Sequence, residues 1–127
     1  MNVALWICAG VLAAVALVGG LTKTFVPRAK LAATPGGAWT GHVDARAIKG
    51  LGVLEIFAAV GLILPAVLNI APVMVPITAV CWVLLMVGAM TTHLRLGERM
   101  AVAANVIYLA VAVFVAWGGF AHQAFGA

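Results

Sequence analysis

Long apolar runs alternate with short polar segments along this chain. The runs extend over about Val3 to Leu21, Ala47 to Leu68, Val73 to His93 and Met100 to Trp117. Each is near the roughly 20 helical residues that cross a hydrocarbon core, so the pattern predicts four membrane-spanning helices. Gly19-Gly20 is expected to end the first, and Trp6 to anchor its start at the interface. Pro65 sits near the far end of the second run, where neighbouring helices can satisfy a freed carbonyl. Pro76 falls in the first turns of the third, where a missing N–H matters least. The uncharged link Asn69 to Pro72 is too short for anything but an antiparallel hairpin. Residues 24–46 are the one long connection, with a loop signal at Pro35-Gly36-Gly37. Its part from Phe25 to Ala33 fits a short amphipathic piece on the headgroups, with Arg28 and Lys30 snorkelling. The connection is either a lid over polar groups below it or a plain interfacial connector. Arg95 to Arg99 forms a charged turn, and the tail from Gly118 carries only His122.

Composition sharpens this into a class. Of 127 residues, 66% are hydrophobic and 8% charged, whereas a soluble domain runs nearer half apolar and about a quarter charged. The fold expected is an all-α membrane protein, a single domain over 1–127 built as a four-transmembrane-helix bundle in the lipid bilayer. The net charge of +4 comes from scattered residues between apolar runs, which argues against nucleic-acid binding. The seven basic residues instead report topology. Lys23, Arg28, Lys30, Arg46 and Lys49 flank the first connection, and Arg95 and Arg99 the third. The other loop and the two tails have none. The positive-inside rule therefore puts residues 24–46 in the cytoplasm and both termini on the non-cytoplasmic side of the cell (inner) membrane. With no Lys or Arg before the first run, that run is expected to be a retained helix rather than a signal peptide.

The topology gathers the few polar residues of the runs into one layer. Glu55 lies about 9 Å in from Lys49, at about 1.5 Å per residue. A carboxylate in such a helix costs roughly 2.5–3.5 kcal/mol on insertion scales, so it must face protein, water or a partner charge. Asn105 lies at nearly the same depth on the fourth run, and Tyr108 is one turn deeper on the same face. His93 and Lys23 approach from the cytoplasmic ends of the third and first runs. Gly52, Glu55 and Ala59 share a face, as do Ala89 and His93, and small residues there let helices come close. Two readings follow. The cluster is a site that binds a polar headgroup or moves a proton, with Glu55 as acid or base and His93 as its partner. Or a Glu55–His93 or Glu55–Lys23 pair simply ties helices together. Cys8 and Cys81 sit in apolar runs with no metal or redox spacing, so neither a metal site nor a cysteine couple is expected. A faint echo between Val18-Gly19-Gly20-Leu21-Thr22 and Val87-Gly88-Ala89-Met90-Thr91 raises the prospect of two similar helical hairpins.

Lys49-x-x-Gly52-x-x-Glu55, Gly61-Leu62-Ile63-Leu64-Pro65, Gly88-Ala89-x-x-x-His93 and Asn105 together resemble the DoxX-like family of small four-helix bacterial membrane proteins. That family is named for a subunit of a thiosulfate:quinone oxidoreductase. The resemblance implies a four-helix bundle in a quinone-linked setting, and carries over Glu55, His93 and Asn105. The function expected is a membrane subunit of a quinone-linked oxidoreductase system. Glu55 and His93 would be its acid–base residues, Lys23, Gly52, Asn105 and Tyr108 its ligand contacts, and a quinone its cofactor. Partners would be other membrane subunits or further copies of the chain. The rival reading is a non-catalytic structural or assembly subunit. A small transporter fits less well, because the helix breaks at Pro65 and Pro76 lie opposite the polar layer, whereas transporters break helices at their sites.

Overall fold

The computed structural model describes residues 2–34 and 37–126. Four long helices carry the chain back and forth: α1 (Asn2–Phe25), α3 (Ala45–Val67), α4 (Met74–Arg95) and α5 (Arg99–Ala121). All four are long and apolar enough to cross a membrane. Between α1 and α3 lie a short helix, α2 (Arg28–Ala32), and a 3-10 turn over Ala38–His42. Pro35 and Gly36 of the expected loop signal are outside the described residues.

α1 lies against α3 and α4 against α5, while α3–α4 and α1–α5 contacts close the ring. Each neighbouring pair is antiparallel, so both described ends of the chain lie at the end away from the charged loops. Buried positions follow spacings of three and four: Ile48, Gly52, Glu55, Ala59 and Leu62 on α3, and Leu5, Ala9, Leu12, Ala16 and Gly20 on α1. That is the narrow seam of a helix bundle. Outward positions carry Leu54, Phe57, Leu84 and Ile107, all largely exposed, as expected of faces that meet lipid rather than water.

Two helices run past their expected ends. Gly19-Gly20 does not stop α1, and Gly118-Gly119 does not stop α5. In each case glycine serves close packing. A Cβ on Gly119 would fall 2.6 Å from Cβ of Pro76, and one on Gly118 would overlap Leu5. The last turns of α1 are held further by Thr22 and Thr24 hydroxyls donating to the carbonyls of Gly19 (2.9 Å) and Gly20 (2.7 Å). At the other side of the connection, Asp44 caps α3 by accepting from the Arg46 backbone N–H at 3.3 Å.

The two ends of the bundle differ. Away from the charged loops the interior is apolar, with Leu5, Leu12, Leu62, Val75, Ala79 and Val115 fully buried. The tail after α5 folds back onto this end. The Ala124 N–H donates to the Gly118 carbonyl at 3.2 Å, and buried Phe125 meets Trp6 edge to face at 5.3 Å. Near the charged loops the interior is polar: Glu55, His93 and Asn105 are buried there.

Candidate functional site

Glycine builds the site's first wall. A Cβ on Gly20 would lie 2.7 Å from the Gly52 carbonyl oxygen and 2.9 Å from the Ile56 backbone nitrogen. One on Gly52 would lie 2.8 Å from the Gly20 carbonyl oxygen. Only hydrogen fits at either position, so α1 and α3 touch backbone to backbone here. That approach carries Lys23 across the seam to Glu55. Its Nζ is 2.9 Å from Oε2 and 3.2 Å from Oε1, and only the Oε1 contact is aligned as a hydrogen bond. Gly52 is thus a spacer between α1 and α3 and is not among the residues that line the cavity described next.

Beside this pair is a cavity of about 180 Å³. Of the residues singled out in the sequence, Lys23, Glu55, His93, Asn105 and Tyr108 all line it. Trp82 and Trp39 line it too. Two buried side-chain atoms of its lining residues have no hydrogen-bond partner, Trp82 Nε1 and Asn105 Nδ2, whereas Glu55 Oε2 is held by the Lys23 ammonium at 2.9 Å. Trp82 and Asn105 are only 2% and 8% exposed. A buried polar group left without a hydrogen bond costs about 1–3 kcal/mol, and native interiors pair nearly all of theirs. Trp82 and Asn105 thus bring two unpaired buried donors to the lining of one cavity.

Of the two partners open to Glu55, Lys23 makes the contact, not His93. The His93 Nδ1 lies 3.0 Å from Oε1 of Glu98, and the cause is the way α4 ends. Gly97 takes φ +72°, a conformation that costs other residues about 1–2 kcal/mol. Its N–H donates to the Leu94 carbonyl at 3.2 Å, and the Glu98 N–H donates to the His93 carbonyl at 3.0 Å. These two bonds are the Schellman pattern. The second of them sets Glu98 beside His93 and brings carboxylate to imidazole.

The long connection folds over the same end. Arg28 does not snorkel; its Nε donates to the Thr40 carbonyl at 2.9 Å and a terminal nitrogen to that of Gly41 at 2.8 Å. This ties α2 to the 3-10 turn, buries Thr40 and lays Trp39 near Lys23, whose Nζ is 5.9 Å from the ring centroid. His42 is exposed, and His122 packs on Trp117 at 4.6 Å, far from the cluster in sequence depth. Among the described residues no three His, Cys, Asp or Glu side chains come together as a metal site would need.

Trp39, Trp82 and Glu98 are the site residues that sequence reasoning missed. Trp82 reads as an ordinary core aromatic inside an apolar run, although its one-turn spacing to Met86 and Ala89 aligns it with His93. Glu98 reads as part of a solvated turn. The signal for it was Gly97, a C-terminal cap that turns the next residue back onto the helix.

Comparisons with curated proteins and with solved structures returned no match. The profile of the DoxX-like family matches residues 7–115, which takes in the cavity walls from α1, α3, α4 and α5. The chain is a membrane protein of the DoxX-like family.

Proposed function

We propose that the cavity binds the headgroup of a quinone, and that the protein is a membrane subunit of a quinone-linked oxidoreductase system. The observation that carries this is a pair of partnerless buried donors on residues that line one cavity, Trp82 Nε1 and Asn105 Nδ2. A quinone ring brings carbonyl oxygens, which accept hydrogen bonds, and the indole and amide donors suit them. The cavity's about 180 Å³ is below the roughly 300–1,000 Å³ of sites for whole drug-sized ligands. It suits one ring, with an isoprenoid tail left to the lipid. Trp39, Trp82 and Tyr108 supply aromatic walls.

A bound quinone would supply two-electron redox chemistry, which takes up protons along with electrons. Trp82 and Asn105 would orient the carbonyls. Glu55, clamped by Lys23, would hold a proton or give one up at the ring, and a partner protein or a cofactor bound there would deliver the electrons. On the positive-inside rule the cavity lies at the cytoplasmic end, with both termini on the other side of the inner membrane.

The test is titration of the protein in lipid nanodiscs with a short-tail benzoquinone, followed by quenching of tryptophan fluorescence and by native mass spectrometry. Trp82→Phe and Asn105→Leu should each weaken binding about tenfold, the loss of one buried hydrogen bond, while the bundle melts normally. Saturable binding that neither change weakens would sink the proposal.

One observation favours a second reading. The Lys23–Glu55 contact joins α1 to α3, as a purely structural tie would. If the protein is a structural or assembly subunit, Glu55→Gln lowers thermal stability in detergent, no quinone mass appears, and other polypeptides remain bound. Proton-coupled flux into liposomes that disappears in Glu55→Gln would instead favour transport.

A further inference from the structure

The quinone reading needs protons at the cavity, and Glu55 has no evident way to obtain them, because Lys23 covers it. His93 and Glu98 have the opposite arrangement. His93 lines the central cavity and is 8% exposed. Glu98 does not line it; with Gly97, Arg99 and Val102 it lines a separate hollow of about 320 Å³ at the charged end. The 3.0 Å contact from His93 Nδ1 to Glu98 Oε1 joins the two spaces. The geometry is preset by backbone, since the Glu98 N–H is itself bonded to the His93 carbonyl at 3.0 Å.

We infer that Glu98 and His93 form the proton entry to the cavity, with Glu98 the outer acid and His93 the inner carrier. The inference rests on reading the cavity as a place where protons are taken up. Protonated Glu98 hands its proton to Nδ1 while Nε2–H gives one to an acceptor in the cavity. The ring is left with hydrogen on Nδ1, bonded to the Glu98 carboxylate; tautomer exchange through water resets the ring, and Glu98 takes a new proton from water in the outer hollow. One proton has then moved from water to the cavity, and no bond between heavy atoms has changed. Such a relay uses one ring nitrogen for the outer partner, here Nδ1 with Glu98, and the other for the inner one.

Other charged or titratable groups border the pair. Lys23 of α1, Glu55 of α3 and Tyr108 of α5 share the central cavity with His93. Arg99 of α5 stands beside Glu98, and Arg95 of α4 is exposed. None of these is bonded to the His93 ring among the described residues, so Glu98 is the positioning residue whose loss isolates it.

The experiment follows ring N–H exchange with water in protein labelled with 15N-histidine, in nanodiscs without ligand, over about pH 6 to 8 where imidazole ordinarily titrates. His42 and His122 are exposed and serve as internal references. Glu98→Gln keeps the backbone turn and should slow exchange at His93 about 100-fold, in the range general acid–base groups supply, with His42 and His122 unchanged. Glu98→Asp, or a small weak acid added to Glu98→Gln, should restore much of the rate and its pH profile. Equal His93 exchange in the native protein and Glu98→Gln would overturn the inference, as would failure of both rescues. The quinone reading is judged apart: if no benzoquinone binds but His93 exchange still depends on Glu98, the ligand proposal falls and the proton entry stands.

Discussion

At the scale of single residues, the site turns on how two carboxylates are partnered. Glu55 faces Lys23 across a helix seam, whereas Glu98 faces His93 across a helix end. The first pair is buried on the carboxylate side, with Glu55's side chain 7% exposed against 19% for Lys23. Breaking such a pair leaves one charge stranded, at about 3–5 kcal/mol, while replacing both partners avoids that. Lys23→Met and Glu55→Leu should therefore each destabilise strongly, and the double variant should be more stable than the sum of their effects implies. Unfolding in mixed micelles, read as a double-mutant cycle, measures this; strictly additive losses would mean the two charges do not interact. Both residues of this pair were legible in the sequence, because ionisable groups are rare in apolar runs. Their pairing was open, since Lys23 and His93 reach the same depth. What decided it was backbone proximity at Gly20 and Gly52, which charge patterns do not reveal.

At the scale of elements, the four spanning helices were legible from hydropathy, but their ends were not. In water a glycine pair weakens a helix and often closes it. In lipid the backbone has no competing water, so α1 and α5 pass through Gly19-Gly20 and Gly118-Gly119 and use them to approach neighbours. Gly20→Ala should thus cost about 1–3 kcal/mol, the usual penalty of forcing extra volume into a packed contact. Gly10→Ala, where a Cβ would meet nothing within 4 Å, should be close to neutral. Thermal melts of the two variants decide; similar melting temperatures would deny the tight α1–α3 seam. The echo between Val18–Thr22 and Val87–Thr91 falls on the first helix of each of the two closely packed pairs, α1–α3 and α4–α5. The two copies do different jobs, however. Gly20 is pressed into a seam, Ala89 lines the cavity, and a Cβ on Gly88 would touch nothing. The connection between α1 and α3 was only half legible. Its amphipathic start is α2, but the placing of Trp39 over the cluster depends on Arg28 reaching carbonyls 12 and 13 residues away, a tertiary contact without local signature.

At the scale of the whole molecule, a polar chamber sits at one end and a solid apolar plug at the other. Leu5, Val75 and Val115 leave no exposed surface there, and Phe125 joins the same buried cluster against Trp6. This has an electrical consequence. A bundle sealed at one end has no continuous wet path for ions, so it should be silent to the membrane potential even with its chamber full of water. Vesicles carrying the protein and a valinomycin-imposed potassium potential should hold that potential as long as protein-free vesicles do. Fast decay would show a conducting path through the plug. If the potential holds, whatever charge enters the chamber leaves by the side it came from, and the field across the bilayer falls mostly over the plug, on residues that carry no charge.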